Sequence, residues 1–339
     1  MHSSTEMITK SRRVSLSRLA LAGLFAAAFG LLAGSAEAQE FPVRPVRIVL
    51  GFPPGGITDI TARMLADALS KSWGRQVLVD NRPGASGTIG ADHVAKSPPD
   101  GYTLLITTMV ANVVAPSLFS KLPYDADKDF AHITLLSSAP SVLVVNPKVP
   151  VKSLREFIEY SKARPGQVTF SSPGSGVSAH LAAEMFASAA GIQLLHVPYK
   201  GSGPALTAVV AGEVQMTYDP IASSLGHIRS GGLRPLAVSM TERSSVLPEV
   251  PTMVESGLKG IEFATWNGLS APAATPRDVI AKIYRDSVAA MRGAAVRDKL
   301  LSMHSNVVAS ASPDEFTAFV RSETSRWGEV IRKAGVRAE

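Results

Sequence analysis

The sequence predicts an α/β protein built from two lobes, each a doubly wound and mostly parallel sheet with helices on both faces. Short apolar runs alternate with amphipathic segments from Val46 onward, and turn residues stand at nearly every junction. This alternation is typical of strands joined by crossover helices. It restarts after residue 140, and two long C-terminal helices have no sheet of their own to cover. We therefore expect the chain to cross between the lobes twice, which makes a hinge.

The first 38 residues are typical of an export signal. A basic segment precedes an apolar run at 19–33, and Ala36-Glu37-Ala38 forms an A-x-A cleavage motif. The run of about 15 residues is shorter than the roughly 20 that cross a bilayer. We expect cleavage before Gln39, while Ser11-Arg12-Arg13 leaves the twin-arginine and general secretion routes both open.

The periodicity of apolar residues gives the predicted elements and the lobe boundaries. We expect the first lobe at 39–139 and 241–339 and the second at 140–240. In the first lobe the predicted strands lie at 46–52, 76–80, 102–107 and 266–271, and the predicted helices at 58–73, up to residue 96, 276–291 and 313–333. In the second lobe the predicted strands lie at 141–145, 168–172, 194–198, 214–218 and 233–239, and the predicted helices at 154–163, 180–190 and 204–211.

Composition excludes several classes of function. There is no cysteine, so disulfides, thiolate metal sites and cysteine nucleophiles are excluded. The formal charge is +6, and because the leader holds four basic and two acidic residues, the mature chain carries about +4. No run of four Lys or Arg occurs and aromatic residues are few, which argues against nucleic-acid binding. The histidines lack metal-ligand spacing, and no nucleophile elbow or phosphate-binding lysine motif indicates an enzyme.

The first candidate binding loop lies at 52–59 and reads Phe-Pro-Pro-Gly-Gly-Ile-Thr-Asp. In open parallel sheets, ligands bind where such loops leave a strand and enter a helix. Glycines let the backbone expose its N–H groups beside the positive end of the helix dipole, so a carboxylate is held without Arg or Lys. The same residues also fit a simple turn in which Thr58 caps the helix.

The second candidate loop lies at 171–178 and reads Ser-Ser-Pro-Gly-Ser-Gly-Val-Ser. Two such loops, one in each lobe, fit the opposite ends of a dianion. Gly174, Gly176 and Ala179 also match a dinucleotide pattern, but the next strand ends in Tyr199-Lys200 instead of the acid that holds a ribose.

Two further side chains are candidates because of their positions. His180 starts the helix after the second loop. Asp219 ends a predicted strand, where it either accepts a hydrogen bond from a ligand amine or hydroxyl or forms a turn before Pro220.

Six motifs follow one another along residues 45–327. They read Phe-Pro-Pro-Gly-Gly with Asp59 at 52–59, Asn-Arg-Pro-Gly-Ala at 81–85, Pro-Asp-Gly-Tyr at 99–102, Tyr-Lys-Gly at 199–201, Leu-Pro-Glu-Val-Pro-Thr at 247–252 and Trp-Asn-Gly-Leu-Ser-Ala-Pro at 266–272. In this order they resemble the Bug family, the solute receptors of tripartite tricarboxylate transporters. The resemblance implies a type II periplasmic binding protein fold with a closing cleft, a small carboxylate ligand held largely through backbone N–H groups and water, and membrane permease subunits as partners.

The resemblance also predicts the ligand-binding residues, and it shows two places where this sequence differs from the family's usual pattern. We expect a periplasmic monomer without cofactor, metal or catalytic residue. Ile57 replaces a small residue or Pro, and Thr-Thr-Met-Val-Ala-Asn at 107–112 replaces a Gly/Ser-rich stretch; both favour a ligand less polar than citrate, such as an aromatic or branched carboxylate. The expected ligand-binding residues are Phe52, Pro54, Gly55, Gly56, Ile57, Thr58, Asp59, Thr107, Thr108, Asn112, Ser172, Gly174, Ser175, Gly176, Ser178, His180, Tyr199, Lys200, Gly201 and Asp219.

The sequence also allows a second function. A periplasmic sensor that passes its closed state to a signalling protein has the same fold and the same site. Genes for a large and a small membrane subunit beside this one favour transport, and a neighbouring sensor kinase favours signalling.

Overall fold

The computed structural model describes residues 41–334, so the predicted leader and its cleavage motif lie outside the described residues. The strands are β1 (Val46–Leu50), β2 (Val77–Asn81), β3 (Thr103–Thr108), β4 (Phe130–Val145), β5 (Val168–Ser172), β6 (Leu194–Pro198), β7 (Met216–Pro220), β8 (Arg234–Val238), β9 (Ala264–Pro272) and β10 (Asn306–Val307). The helices are α1 (Ile57–Trp73), α2 (Thr88–Ala95), α3 (Ala115–Leu118), α4 (Leu154–Lys162), α5 (Ser178–Ala190), α6 (Ser202–Ala211), α7 (Ile221–Arg229), α8 (Arg277–Arg292), α9 (Ala294–Ser302) and α10 (Pro313–Ala334). Within 41–334, no helix is long and apolar enough to cross a membrane.

A β-α-β-α-β unit occurs twice with the same strand order. In the first unit β1 lies in the middle and pairs in parallel with β2 and β3. In the second unit β5 lies in the middle and pairs in parallel with β6 and β7. The loops that follow β1 and β5 therefore occupy equivalent positions in the two units.

The middle of the sheet is antiparallel, which corrects the prediction of a mostly parallel arrangement. The described strands run in the order β2-β1-β3-β9-β4-β7-β5-β6, with β8 and β10 also paired to β4. Both β9 and β7 run antiparallel to β4, and β3 runs antiparallel to β9. The antiparallel strands β4 and β9 therefore lie between the two repeated units.

The long strand β4 changes partner along its length. Its first part pairs with β9 up to Pro140, opposite Ala264, and its second part pairs with β7 from Ser141, opposite Pro220. The chain therefore passes from one half of the sheet to the other within a single strand. The exact lobe boundaries stay a prediction.

Helix α10 packs against both halves of the molecule. Phe263, which lies between β8 and β9, contacts Tyr218 of β7 and Trp327 of α10 edge-on, with ring centroids 6.4 and 5.7 Å apart. The buried carboxylate of Glu323 accepts from the indole N–H groups of Trp266, at 3.3 Å, and Trp327, at 3.1 Å. This seam of aromatic rings ties α10 to β9 and to the second unit.

Most predicted elements lie within two or three residues of the observed ones. The prediction missed helices α3, α7 and α9, the short strand β10, the π-helical turn at Met109–Val114 that leads into α3, and the first part of β4. Within β4, the polar residues Ser137 and Ser138 and then Pro140 interrupt the apolar run, so the sequence resembles a connection there.

Candidate functional site

The loop after β1 enters α1 without a side-chain cap. Gly56 is the N-cap residue and no side chain caps the helix, so the alternative in which Thr58 caps the helix is wrong. Gly55 precedes the cap with φ of +96°, a conformation that favours glycine. The N–H groups at the start of α1, beside the positive end of the helix dipole, are therefore free to bind an anion.

Hydrogen bonds to the buried carboxylate of Asp59 fix the shape of this loop. Its Oδ2 accepts from the Gly55 N–H at 3.0 Å and from Arg63 Nε at 2.9 Å, and its Oδ1 accepts from Asn81 Nδ2 at 3.0 Å. Asn81 also donates to the Phe52 carbonyl at 3.0 Å. Burial opposes the ionisation of Asp59, but the hydrogen bonds from Arg63, Gly55 and Asn81 outweigh it and lower the pKa of the carboxyl to about 2.

The loop after β5 enters α5 in the same way. Val177 is the N-cap residue, again without a side-chain cap, and Gly176 precedes it with φ of +73°. The Nδ1 atom of buried His180 accepts from the Gly176 N–H at 2.9 Å. His180 therefore makes a hydrogen bond inside the loop.

A stack of rings supports this second loop. The His180 and His196 rings lie parallel with centroids 3.8 Å apart, and Phe170 stacks on His196 at 4.8 Å. His196 Nε2 lies 2.6 Å from the Ser172 hydroxyl, which itself donates to the Gly174 carbonyl at 2.7 Å. Burial, with a smaller effect of His180, lowers the pKa of His196 to about 4. Ser172 is fully buried, so this Ser–His pair shapes the loop.

The segment 199–201 lies alongside the second loop. The Tyr199 N–H donates to the Ser172 carbonyl at 2.9 Å, and the Gly201 N–H donates to the Pro173 carbonyl at 3.1 Å. Tyr199 is half-buried and Lys200 is exposed. The structure therefore brings the predicted residues of this segment next to the loop.

The segment after β3 is buried. The Thr107 hydroxyl bonds to the Ser270 hydroxyl inside the sheet. The Asn112 Oδ1 atom accepts from the Thr108 N–H at 3.2 Å, while Asn112 Nδ2 and the Thr108 hydroxyl have no protein partner within the described residues. The polar side chains Thr107, Thr108 and Asn112 of this segment are thus buried.

Asp219 ends β7 and is buried beside the start of α7. Its carboxylate accepts from the hydroxyls of Ser223 and Ser224, the latter at 2.7 Å. Burial raises the pKa of Asp219, and the two serine hydrogen bonds offset this only in part. An ionised Asp219 disfavours a second carboxylate beside it and favours a donor group.

The other predicted residues lie on or beside the two loops. The Phe52 ring lies against Gly87. Within 41–334, no cluster of three His, Asp or Glu side chains is arranged to hold a metal ion. Pro54, Gly55, Gly56 and Ser175 are exposed, and Ile57, Thr58, Gly174, Ser178 and Gly201 are half-buried.

Sequence reasoning missed four residues that shape these loops. Arg63 and Asn81 complete the Asp59 network, His196 stacks on His180, and Leu118 packs against Gly176. The spacing of Asp59 and Arg63 by four positions on a helix was a usable signal. Nothing in the local sequence indicates the other three contacts.

A family model, a related protein and solved structures all agree with the family that the sequence motifs resemble. The family described as "Tripartite tricarboxylate transporter family receptor" matches residues 61–336. Protein BugT of Bordetella pertussis is 39% identical over 320 residues, covering 94% of this chain and 98% of BugT.

Two solved structures resemble the chain over their whole length. The R. palustris protein Rpa4515 with adipate has a TM-score of 0.77 at 33% identity, over 88% of this chain and 99% of that one. MatC of Rhodopseudomonas palustris with bound malate has a TM-score of 0.74 at 33% identity, over 86% and 100%. These likenesses confirm the predicted two-lobed periplasmic binding protein fold.

Proposed function

Because the chain belongs to the Bug family of tripartite tricarboxylate transporter receptors, we propose that it binds a small carboxylate between its lobes in the periplasm and delivers it to a tripartite membrane transporter. Members of this family are solute receptors, so the chain is a receptor and not an enzyme. Its proposed partners are the carboxylate and the membrane permease subunits, and we propose that it acts as a monomer.

One observation carries the proposal: each repeated unit presents the uncapped N-terminus of a helix, α1 or α5, at the end of a Gly-rich loop. The two loops contain no Arg or Lys. A helix N-terminus attracts negative charge through its free N–H groups and its dipole. We propose that the loops face each other across the cleft and hold the two ends of one ligand.

The relatives suggest probes for the ligand. The R. palustris proteins are described with adipate and with malate, which are both dicarboxylates. Because Ile57 and the buried polar groups at 107–112 leave little polar surface beside the loops, we propose a ligand less polar than citrate. We expect adipate to resemble this ligand more closely than malate does.

A variant at Gly56 tests how the ligand is held. Gly56 has φ of −78°, and a Cβ atom at this position meets nothing within 4 Å, so Gly56→Val should leave the fold intact. Gly226→Val, on the exposed side of α7, is the matched control because a Cβ there also meets nothing. Losing one charge-assisted hydrogen bond weakens binding by about 10-fold to 150-fold, and we expect a loss of this size only at Gly56.

The experiment is calorimetry on the exported protein with adipate, malate, benzoate and a branched monocarboxylate. We expect at least one acid to bind at a single site and to raise the melting temperature. Lys200→Ala should bind like the unsubstituted protein, because Lys200 is exposed beside the loop. If Lys200→Ala abolishes binding while Gly56→Val retains it, a side-chain cation holds the ligand and the proposed site is wrong.

A further inference from the structure

The two loops of the proposed site are copies of one local design. In both, a glycine with positive φ precedes an extended N-cap residue, and the side chain of the third helical residue accepts from the N–H of that glycine. Asp59 accepts from Gly55 at 3.0 Å, and His180 accepts from Gly176 at 2.9 Å. Each acceptor stands four positions after its glycine. The repeat of the β-α-β-α-β unit therefore extends to the hydrogen bond that shapes each loop.

The second strand of each unit supports the acceptor side chain. Asn81, the last residue of β2, donates to Asp59 Oδ1 at 3.0 Å. His196, in the middle of β6, stacks on the His180 ring at 3.8 Å. The supporting group is an amide in the first unit and an imidazole in the second, but it comes from the equivalent strand. Each acceptor side chain is therefore held by its own helix and by a strand of the sheet.

We infer that Asp59 and His180 are paired positioning residues, which use up one N–H of each loop so that the following N–H groups point to the ligand, and that only the loop held by His180 is released by acid. The inference rests on the proposed function, since the loops matter to binding only if they hold the carboxylate. A loop that is ordered before binding costs less entropy when the ligand arrives.

Acid should affect the two loops differently because the acceptor is a carboxylate in one loop and an imidazole in the other. A carboxylate accepts while it is ionised, and the hydrogen bonds from Arg63 and its other partners keep Asp59 ionised down to about pH 2. An imidazole Nδ1 atom accepts only in the neutral ring, since protonation turns it into a donor that faces the Gly176 N–H. The ionisable groups that face His180 are Glu184 on its own helix, with Nε2 and Oε1 3.6 Å apart, and His196 on β6.

The first test measures amide hydrogen exchange at Gly55 and Gly176 by NMR, without ligand. We compare the unsubstituted protein with His180→Ala, which removes the acceptor, and with His180→Asn. An asparagine should restore the bond, because Asp59 already reaches the equivalent N–H with a side chain of that length. His227→Asn, at an exposed histidine of α7, is the control. We expect His180→Ala to lower the protection of Gly176 by about 10-fold or more, and His180→Asn to restore it; ten-fold corresponds to about 1.4 kcal/mol.

A purely structural role of His180 predicts no selective effect of acid on the protection of Gly176, so acidification distinguishes that role from the proposed one. In the unsubstituted protein, protection of Gly176 should fall as the ¹⁵N signals of His180 report protonation, while Gly55 keeps its protection. In His180→Asn, both glycines should stay protected over the same range. If Gly176 stays protected in His180→Ala, or if both glycines lose protection together on acidification, the inference is wrong.

The second test adds adipate and malate as probes. We expect His180→Ala to weaken binding by about 10-fold, and His180→Asn to bind like the unsubstituted protein. If His180→Ala loses the protection of Gly176 but binds normally, the loop is ordered by His180 without serving the ligand, and the positioning role is refuted. If neither acid shifts any amide of the unsubstituted protein, the proposed function fails for these acids, while the exchange data still decide how the loops are held.

Discussion

Asp59→Asn removes the charge at the centre of the first loop and keeps an oxygen that accepts from the Gly55 N–H. It therefore separates the energy of the charge from the shape of the loop. The Asp59 side chain is 4% exposed, and Arg63 Nε lies 2.9 Å from it. Its pKa is about 2, against 3.8 for an unperturbed aspartate.

The expected loss of stability follows from this difference in pKa. Each pKa unit corresponds to about 1.4 kcal/mol, so the ionised Asp59 contributes about 2 kcal/mol to the free energy of unfolding at pH 7. For a chain of this size that is a fall in melting temperature of about 4 °C. Because the pKa is lower in the folded state, the contribution is complete above about pH 4 and is lost as the pH falls through 2.

Thermal melts of the variant and the unsubstituted protein, from pH 7 to pH 3, test this expectation. The stability deficit of Asp59→Asn should be about half as large at pH 3 as at pH 7. Asp67→Asn, at an exposed carboxyl further along α1, controls for the loss of one negative charge and should change stability by less than about 0.5 kcal/mol. A deficit that is equal at both pH values, or absent at pH 7, refutes the reasoning from the Asp59 network.

The remaining predictions concern Asp219 and Gly268. Burial raises the pKa of Asp219, so its charge costs stability once the pH rises above the pKa in the folded protein. Asp219→Asn should therefore melt higher than the unsubstituted protein at pH 7, with the gain vanishing below about pH 4; a variant that melts lower at pH 7 contradicts this. Gly268→Ala places a Cβ atom 2.1 Å from Cζ of the fully buried Phe316 ring, so calorimetry should show a loss of about 1 to 3 kcal/mol, and unchanged stability contradicts the packing.

Local patterns were sufficient for the repeated units and for the position of the loops. Strands β5 and β6 lie where the apolar runs predict them, and both loops stand out because glycines follow a strand and precede an amphipathic helix. These features depend on residues close together in the chain. Patterns of this kind are therefore visible before any tertiary contact is known.

The central strands were not predictable in the same way. The first part of β4 pairs with β9, which lies more than 120 residues further along the chain, and a local pattern carries no information about such a partner. The stack of His180 on His196 is another long-range contact. The sequence therefore predicts His180 as a ligand-binding residue but does not show that its Nδ1 atom accepts from the Gly176 N–H.

The contacts across the middle of the molecule differ in extent, and from this difference we predict how the lobes rotate when they close on the proposed ligand. The aromatic seam from Tyr218 through Phe263 to Trp327 is buried on all sides, so a rotation that separates it exposes several large rings. The contact of Gly176 with Leu118 is small, because it involves one side chain of α3 against one loop. We therefore expect the seam to act as the pivot and the Leu118 contact to change first. Since the N–H of Gly176 is also held by His180, we expect closure and the order of the second loop to be coupled at this glycine.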